Sequence, residues 1–111
     1  MNLLPKHKYA TVDIQKLRDY CLSDTHPIGK HKSRVFKSLL SISLGDEEKL
    51  IQLILNGLNS NEAIIGKNDQ YGQRYFVDIK ITNFDEEVVL RTAWIINETE
   101  NPRLVTCYIK K

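Results

Sequence analysis

The chain has two cysteines, three prolines, five glycines and one tryptophan in 111 residues, and each scarcity closes off a class of protein. Two cysteines, Cys21 and Cys107, far apart and without motif spacing, do not make the framework of a disulfide-stapled secreted domain. Two buried thiols are the plain reading, which leans towards a reducing, cytosolic place of action; a single disulfide is the alternative. No apolar run approaches the roughly 20 residues that span a bilayer, so no membrane role is expected. Met1-Asn2-Leu3-Leu4-Pro5-Lys6 holds too short an apolar run for a signal peptide. There is no glycine-rich phosphate loop and no nucleophile elbow. His7, His26 and His31 lack the close Cys or carboxylate partners of a zinc site. Asp46-Glu47-Glu48 reads as helix-start charge rather than a metal cluster. No cofactor is therefore expected.

What is present is an ordinary globular composition, 41% apolar and 27% charged, enough for one modest core. No repeat, low-complexity tract or linker divides the chain. Residues 1–111 are expected to form one domain, with 1–10 as a leader or extended arm. The net charge is only +2 but unevenly spread: residues 1–39 carry eight Lys and Arg against three Asp, while residues 85–100 carry five acids against one Arg. Arg103, Lys110 and Lys111 make the last stretch basic again. A basic face suits a polyanion, although such asymmetry is also common on solvated surfaces.

Hydropathy changes period along the chain. Thr11 is a plausible N-cap, and Ile14, Leu17 and Cys21 mark one face of a helix ending near Ser23. Asp24-Thr25-His26-Pro27 breaks it. A second helix is expected from roughly Lys30 to Ser41, and a third opens at Gly45-Asp46-Glu47-Glu48, buries Leu50, Ile51, Ile54 and Leu55, and stops at Gly57. Beyond it the period is 2. Glu62–Lys67, Arg74–Ile81, Val88–Ile96 and Leu104–Ile109 read as strands, with Asn68–Gly72 as a hairpin loop. The expected class is α+β: two to three N-terminal helices packed on one face of a roughly four-stranded, mainly antiparallel sheet. The other face is then partly open, and a groove can form there.

Chemistry-bearing residues gather in two regions. Thr25 to Phe36 holds His26 and His31 with Lys30, Lys32 and Arg34, cations placed against the helix dipole and so suited to an anion. Arg74 lies beside Tyr71 and Tyr75, Arg91 and Thr92 interrupt an apolar strand, and Arg103 and Thr106 flank the start of the last one. RNA can be cleaved without metal by attack of its own 2′-hydroxyl on the adjacent phosphate. That reaction needs an acid, a base and cations. Imidazole titrates near neutrality, and guanidinium grips phosphate.

His26-Pro27-x-Gly29-x-x-Lys32 with Phe36, Tyr71-Gly72-x-Arg74-Tyr75, Thr92-x-Trp94 and Pro102-Arg103-Leu104-x-Thr106 resemble a family of small bacterial domains of uncertain function. Those domains occur alone and as C-terminal modules of polymorphic toxins. The helices-then-sheet layout is similar to the barnase/EndoU/colicin/RelE-type ribonuclease superfamily, mostly metal-independent RNases and often toxins. The resemblance implies a site of His26, Lys32, Tyr71, Arg74, Thr92, Arg103 and Thr106. In it His26 is general base or acid, and Lys32 and Arg103 bind phosphate. Arg74 holds phosphate or the transition state, and Thr106 offers a hydroxyl. Tyr71 and Thr92 are substrate contacts. Lys30 and His31 have no matching motif and join as substrate-binding candidates by position alone.

Each has a plainer reading. His26 precedes proline and is also a turn residue; Lys32 and His31 are also solvated helix residues. Arg74 and Arg103 are also structural partners for Asp78 or the acidic loop. Trp94 is better read as core, and Thr92 and Thr106 as ordinary strand residues. The leading expectation is a metal-independent endoribonuclease toxin, working in the cytoplasm of the producing or the target cell. It would cleave RNA to a 2′,3′-cyclic phosphate and be neutralised by an acidic antitoxin or immunity protein. The alternatives are a non-catalytic nucleic-acid-binding or protein-interaction module on the same basic face, and another toxin chemistry.

Overall fold

A computed structural model of the chain describes residues 2–18, 40, 42, 45–83, 86–97 and 101–110. Four strands, β1 (Ala63–Asp69), β2 (Gly72–Asn83), β3 (Glu86–Ile96) and β4 (Arg103–Lys110), form one sheet in sequence order with every pair antiparallel. Alternation sorts their side chains. Val77, Ile79, Val88, Leu90, Thr92, Trp94, Leu104, Cys107 and Ile109 all face one side and are buried.

That buried side carries two short helical pieces. Asp13 caps α1 (Ile14–Lys16), its side chain accepting from the Gln15 N–H. The second piece, α2 (Glu47–Gly57), begins with Glu47 and Glu48 in the turn where the helix dipole favours acids. Leu50 and Ile54, four apart, are fully buried under it. Gly57 is the close approach between helix and sheet: a Cβ there would come within 2.5 Å of the Ile79 side chain. Arg18 ties the two pieces together by pairing with the buried Glu47 carboxylate at 3.2 Å.

The expectation of two to three packed N-terminal helices is corrected. Among the described residues α2 is the one helix longer than a single turn. Thr11, expected to cap the first helix, instead forms a parallel bridge to Arg103, and Ile14, expected on the buried face, is 42% exposed. The physical reason lies in the opening segment. Leu4 is 1% exposed in the core, and Ala10 and Val12 pack against it, so an irregular stretch with a single 3-10 turn at His7–Tyr9 fills space assigned to a helix. Its backbone is fixed at both sheet edges: the Ala63 N–H donates to Asn2 O, and the Leu104 N–H to Thr11 O. The expected helix at 30–41 lies outside the described residues apart from Leu40, which is buried.

One hydrogen-bond chain fixes the middle of the core. Trp94 Nε1 donates to Thr92 Oγ1 at 2.8 Å, and that hydroxyl donates to Val77 O at 2.8 Å. Both buried polar groups are thereby satisfied. Leu4→Ala is expected to cost about 2–5 kcal/mol, the usual range for emptying a fully buried leucine site. A urea titration measures it; a shift below about 0.5 kcal/mol would show that the arm lies outside the cooperative core.

Candidate nucleic-acid interface

The opposite, outer face of the sheet collects the residues that alternate with the core set. Strand pairing sets them in rows running from β4 towards β1. The first row is Arg103, Ile95 and Arg74. Next come Thr106, Ala93, Phe76 and Ile64, then Tyr108, Arg91 and Asp78, then Lys110, Val89 and Lys80. Cations therefore occupy both ends and the middle of one sheet face.

Two bulges shape its upper end. In β4 the register slips at Val105, so that Trp94 pairs with Leu104 but Ala93 pairs with Thr106. In a regular strand Arg103 and Thr106, three apart, would point to opposite faces. The extra residue puts both on the outer face. In β1 the register slips between Ile65 and Asn68, and Gln73 Nε2 donates to the Gly66 carbonyl inside that irregularity. Asp69 is thereby placed to accept from Arg74 Nε at 3.1 Å. Its other oxygen accepts from the Tyr71 N–H within the hairpin. The Tyr71 backbone N–H first, and the Arg74 guanidinium after it, hold the Asp69 carboxyl below the ordinary carboxylate range. A cavity of about 540 Å³ lined by Lys6, Asn68, Asp69, Gln70 and Asn97 adjoins this end.

The centre of the face is a charge cluster. Arg91 grips Asp78 with two bonds, Nε to Oδ1 at 2.8 Å and Nη2 to Oδ2 at 3.0 Å. Lys110 Nζ approaches the same carboxylate at 3.4 Å, and the Arg91 guanidinium lies 5.1 Å from the Phe76 ring centroid. The Arg91 hydrogen bonds hold the Asp78 carboxyl below its usual range, and Asp78 in turn raises the Arg91 pKa. Arg91 is thus held over an aromatic ring, with its charge largely answered.

The expected site residues fall into three groups. Arg74, Arg103 and Thr106 share the upper outer face, with the 60% exposed Tyr71 on the adjoining hairpin. Thr92 lies on the opposite face, 0% exposed, bonded to Trp94 and Val77 inside the core. His26, Lys30, His31 and Lys32 lie outside the described residues. Arg74 pairs with Asp69, not with Asp78. Phe76, Asp78, Lys80, Arg91, Tyr108 and Lys110 were not assigned to the site from sequence. Their signal was present as the polar half of the β2 alternation and as an arginine interrupting an apolar strand. Among the described residues no three His, Cys, Asp or Glu gather as a metal site requires, and no helix is long and apolar enough to cross a membrane.

The structure defines a class first: a small strand-rich domain whose antiparallel meander is covered on one face and arginine-rich on the other. The chain belongs to the family described as Domain of unknown function (DUF6883), which matches residues 3–111. Its fold is similar, at a TM-score of 0.66, to a chain of a contact-dependent growth inhibition toxin–immunity protein complex from Klebsiella pneumoniae 342. That alignment covers 89% of this chain and 98% of the other at 17% identity, a likeness of fold. Among curated proteins no match is found.

The paired Asp78 gives a pH signature. Its carboxyl titrates lower in the folded state than in the unfolded chain, so its stabilisation is complete above the ordinary range near pH 4 and is lost as pH falls through the depressed folded value. Asp78→Asn is expected to cost about 2 kcal/mol at pH 7, in the range for hydrogen bonds to charged groups. The gap between variant and wild type should close as pH falls below 4 in parallel denaturant titrations. A pH-independent gap would mean that packing, not charge, holds the pair.

Proposed function

We propose that this domain is the toxic module of a bacterial toxin–immunity pair and that it cleaves RNA. The observation carrying the RNA half is the β4 bulge, which sets Arg103 and Thr106 on one face with Arg74 across β3. The likeness to a chain from a toxin–immunity complex supports the toxin half.

In this reading the scissile phosphate lies between the two guanidinium groups that flank the buried Ile95. The 2′-oxygen attacks phosphorus while the bond to the 5′-oxygen breaks. One proton leaves the 2′-hydroxyl for a base, and one is delivered to the departing 5′-oxygen by an acid. The products are a 2′,3′-cyclic phosphate and a 5′-hydroxyl end. Arg74, its Nε held by Asp69, presents its terminal nitrogens to the phosphate. Arg103 approaches from the other side, and the pair offsets charge building on the phosphorane. Thr106 adds a hydroxyl one row away. His26 is the candidate for proton transfer and Lys32 for a third cation, with Lys30, His31 and Tyr71 flanking the substrate. The buried Thr92 acts through the core instead. A domain with this activity is harmful in the cytoplasm that makes it unless an immunity protein covers the face. An acidic partner complements Lys80, Arg103 and Lys110.

The purified domain is expected to degrade RNA in excess EDTA to fragments ending in a 2′,3′-cyclic phosphate. Arg103→Ala and His26→Ala should each slow cleavage by roughly 10²-fold or more with an unchanged unfolding midpoint. RNA that is bound but left intact would replace this reading with a non-catalytic nucleic-acid-binding module. Growth arrest on induction that persists with cellular RNA intact would point to another toxin chemistry.

A further inference from the structure

We infer that the outer face continues beyond the Arg74–Arg103 row as a platform for single-stranded RNA, an inference that rests on reading the domain as one that acts on RNA. From Arg74 to Lys80 the face extends about 20 Å along β2, room for roughly four nucleotides, the lower end of single-strand site sizes. Its rows alternate in character. Past the two arginines comes a row in which Ala93, Phe76 and Ile64 follow Thr106, then a row with Arg91 and Tyr108, then Lys110 and Lys80. An unpaired strand has the matching chemistry, since its bases offer flat apolar faces and its linkages carry negative charge.

Arg91 has a particular part in this. Asp78 binds it through two nitrogens, and its guanidinium lies 5.1 Å from the Phe76 centroid. With its charge answered and its plane fixed, it serves as a stacking surface and not as a phosphate anchor. Lys80 and Lys110 are exposed on either side of Val89 and take the phosphates. Lys110 also approaches Asp78 at 3.4 Å, at 45% side-chain exposure. Glu87, paired with Thr82 in the next row, ends the track by repelling the backbone. A duplex buries its base faces and loses the stacking half of the contact.

The test uses a fluorescent 2′-O-methyl RNA octamer, which lacks the attacking hydroxyl, read by anisotropy, beside a ribo-octamer and a ribodinucleotide as cleavage substrates. Lys80→Gln/Lys110→Gln is expected to weaken octamer binding about tenfold and lower its logarithmic salt slope by about 1.4, leaving dinucleotide cleavage unchanged. Phe76→Leu, which removes the ring beneath the Arg91 guanidinium, should weaken the octamer at least about fivefold, the loss of the base stacked on that guanidinium. Octamer affinity and salt slope unchanged in the lysine variant, or duplex bound as tightly as single strand, would overturn the platform. If that happens while the ribo-octamer is cleaved, the cleavage reading stands alone. Responsive octamer binding with the ribo-octamer left intact would instead uphold the platform and remove the cleavage.

Discussion

The register of β3 against its neighbours is the constraint on which every placement depends. The β2–β3 ladder runs without a break from Gln73 opposite Ile96 to Asn83 opposite Glu86. With one face filled by Trp94, Leu90 and Val77, a slip by one residue would exchange core for surface along both strands. The Trp94–Thr92–Val77 hydrogen-bond chain adds a polar lock, because a slip of β3 against β2 would break the bond from the Thr92 hydroxyl to the Val77 carbonyl. Given that lock, Arg74, Phe76, Asp78 and Lys80 have one direction to face.

Charge on the outer face is organised by carboxylates as much as by cations. Asp69 and Asp78 each hold an arginine, and both titrate below the ordinary range, Asp69 through the Tyr71 N–H first and Arg74 after it, Asp78 through Arg91. An arginine held in this way loses little further freedom when a ligand arrives, which lowers the entropic cost of binding. Two cations on the face, Arg103 and Lys80, are exposed and have no ion pair among the described residues. The face therefore combines preset planes with exposed charges, an arrangement suited to a flexible anionic chain.

How far the sequence discloses this can be judged residue by residue. Alternation in Arg74–Ile81 and the apolar run at Val88–Ile96 disclose the sheet, because period 2 is imposed directly by the backbone. Helical period at Leu50, Ile51, Ile54 and Leu55 discloses α2 for the same reason. The opening arm was not legible as a core element. Leu4 has no periodic companions, and its burial goes with hydrogen bonds that the arm's carbonyls at Asn2 and Thr11 accept from the Ala63 and Leu104 N–H groups, far away in the chain. Thr92 shows the converse error: a polar residue in an apolar strand reads as functional until its partner across the pleat is known. The bulge at Val105 was out of reach, since neither Arg103 nor Thr106 carries a local mark of the extra residue that unites them.

The bulge also separates stability from function in a useful way. Leu104 and Cys107, on either side of it, both remain buried, so the core face of β4 is continuous although its outer face is rearranged. The cost is one residue left out of the ladder near the start of the strand, where the Thr11 bridge already supports the backbone through the Leu104 N–H. The arm thus has a second effect. By fixing the chain at Arg103 and Leu104, it steadies the point at which the strand departs from regular pairing. In the role proposed for Arg103, a guanidinium that meets a phosphate needs its backbone held to within a fraction of an ångström, and that restraint would come from a segment 91 residues earlier in the chain.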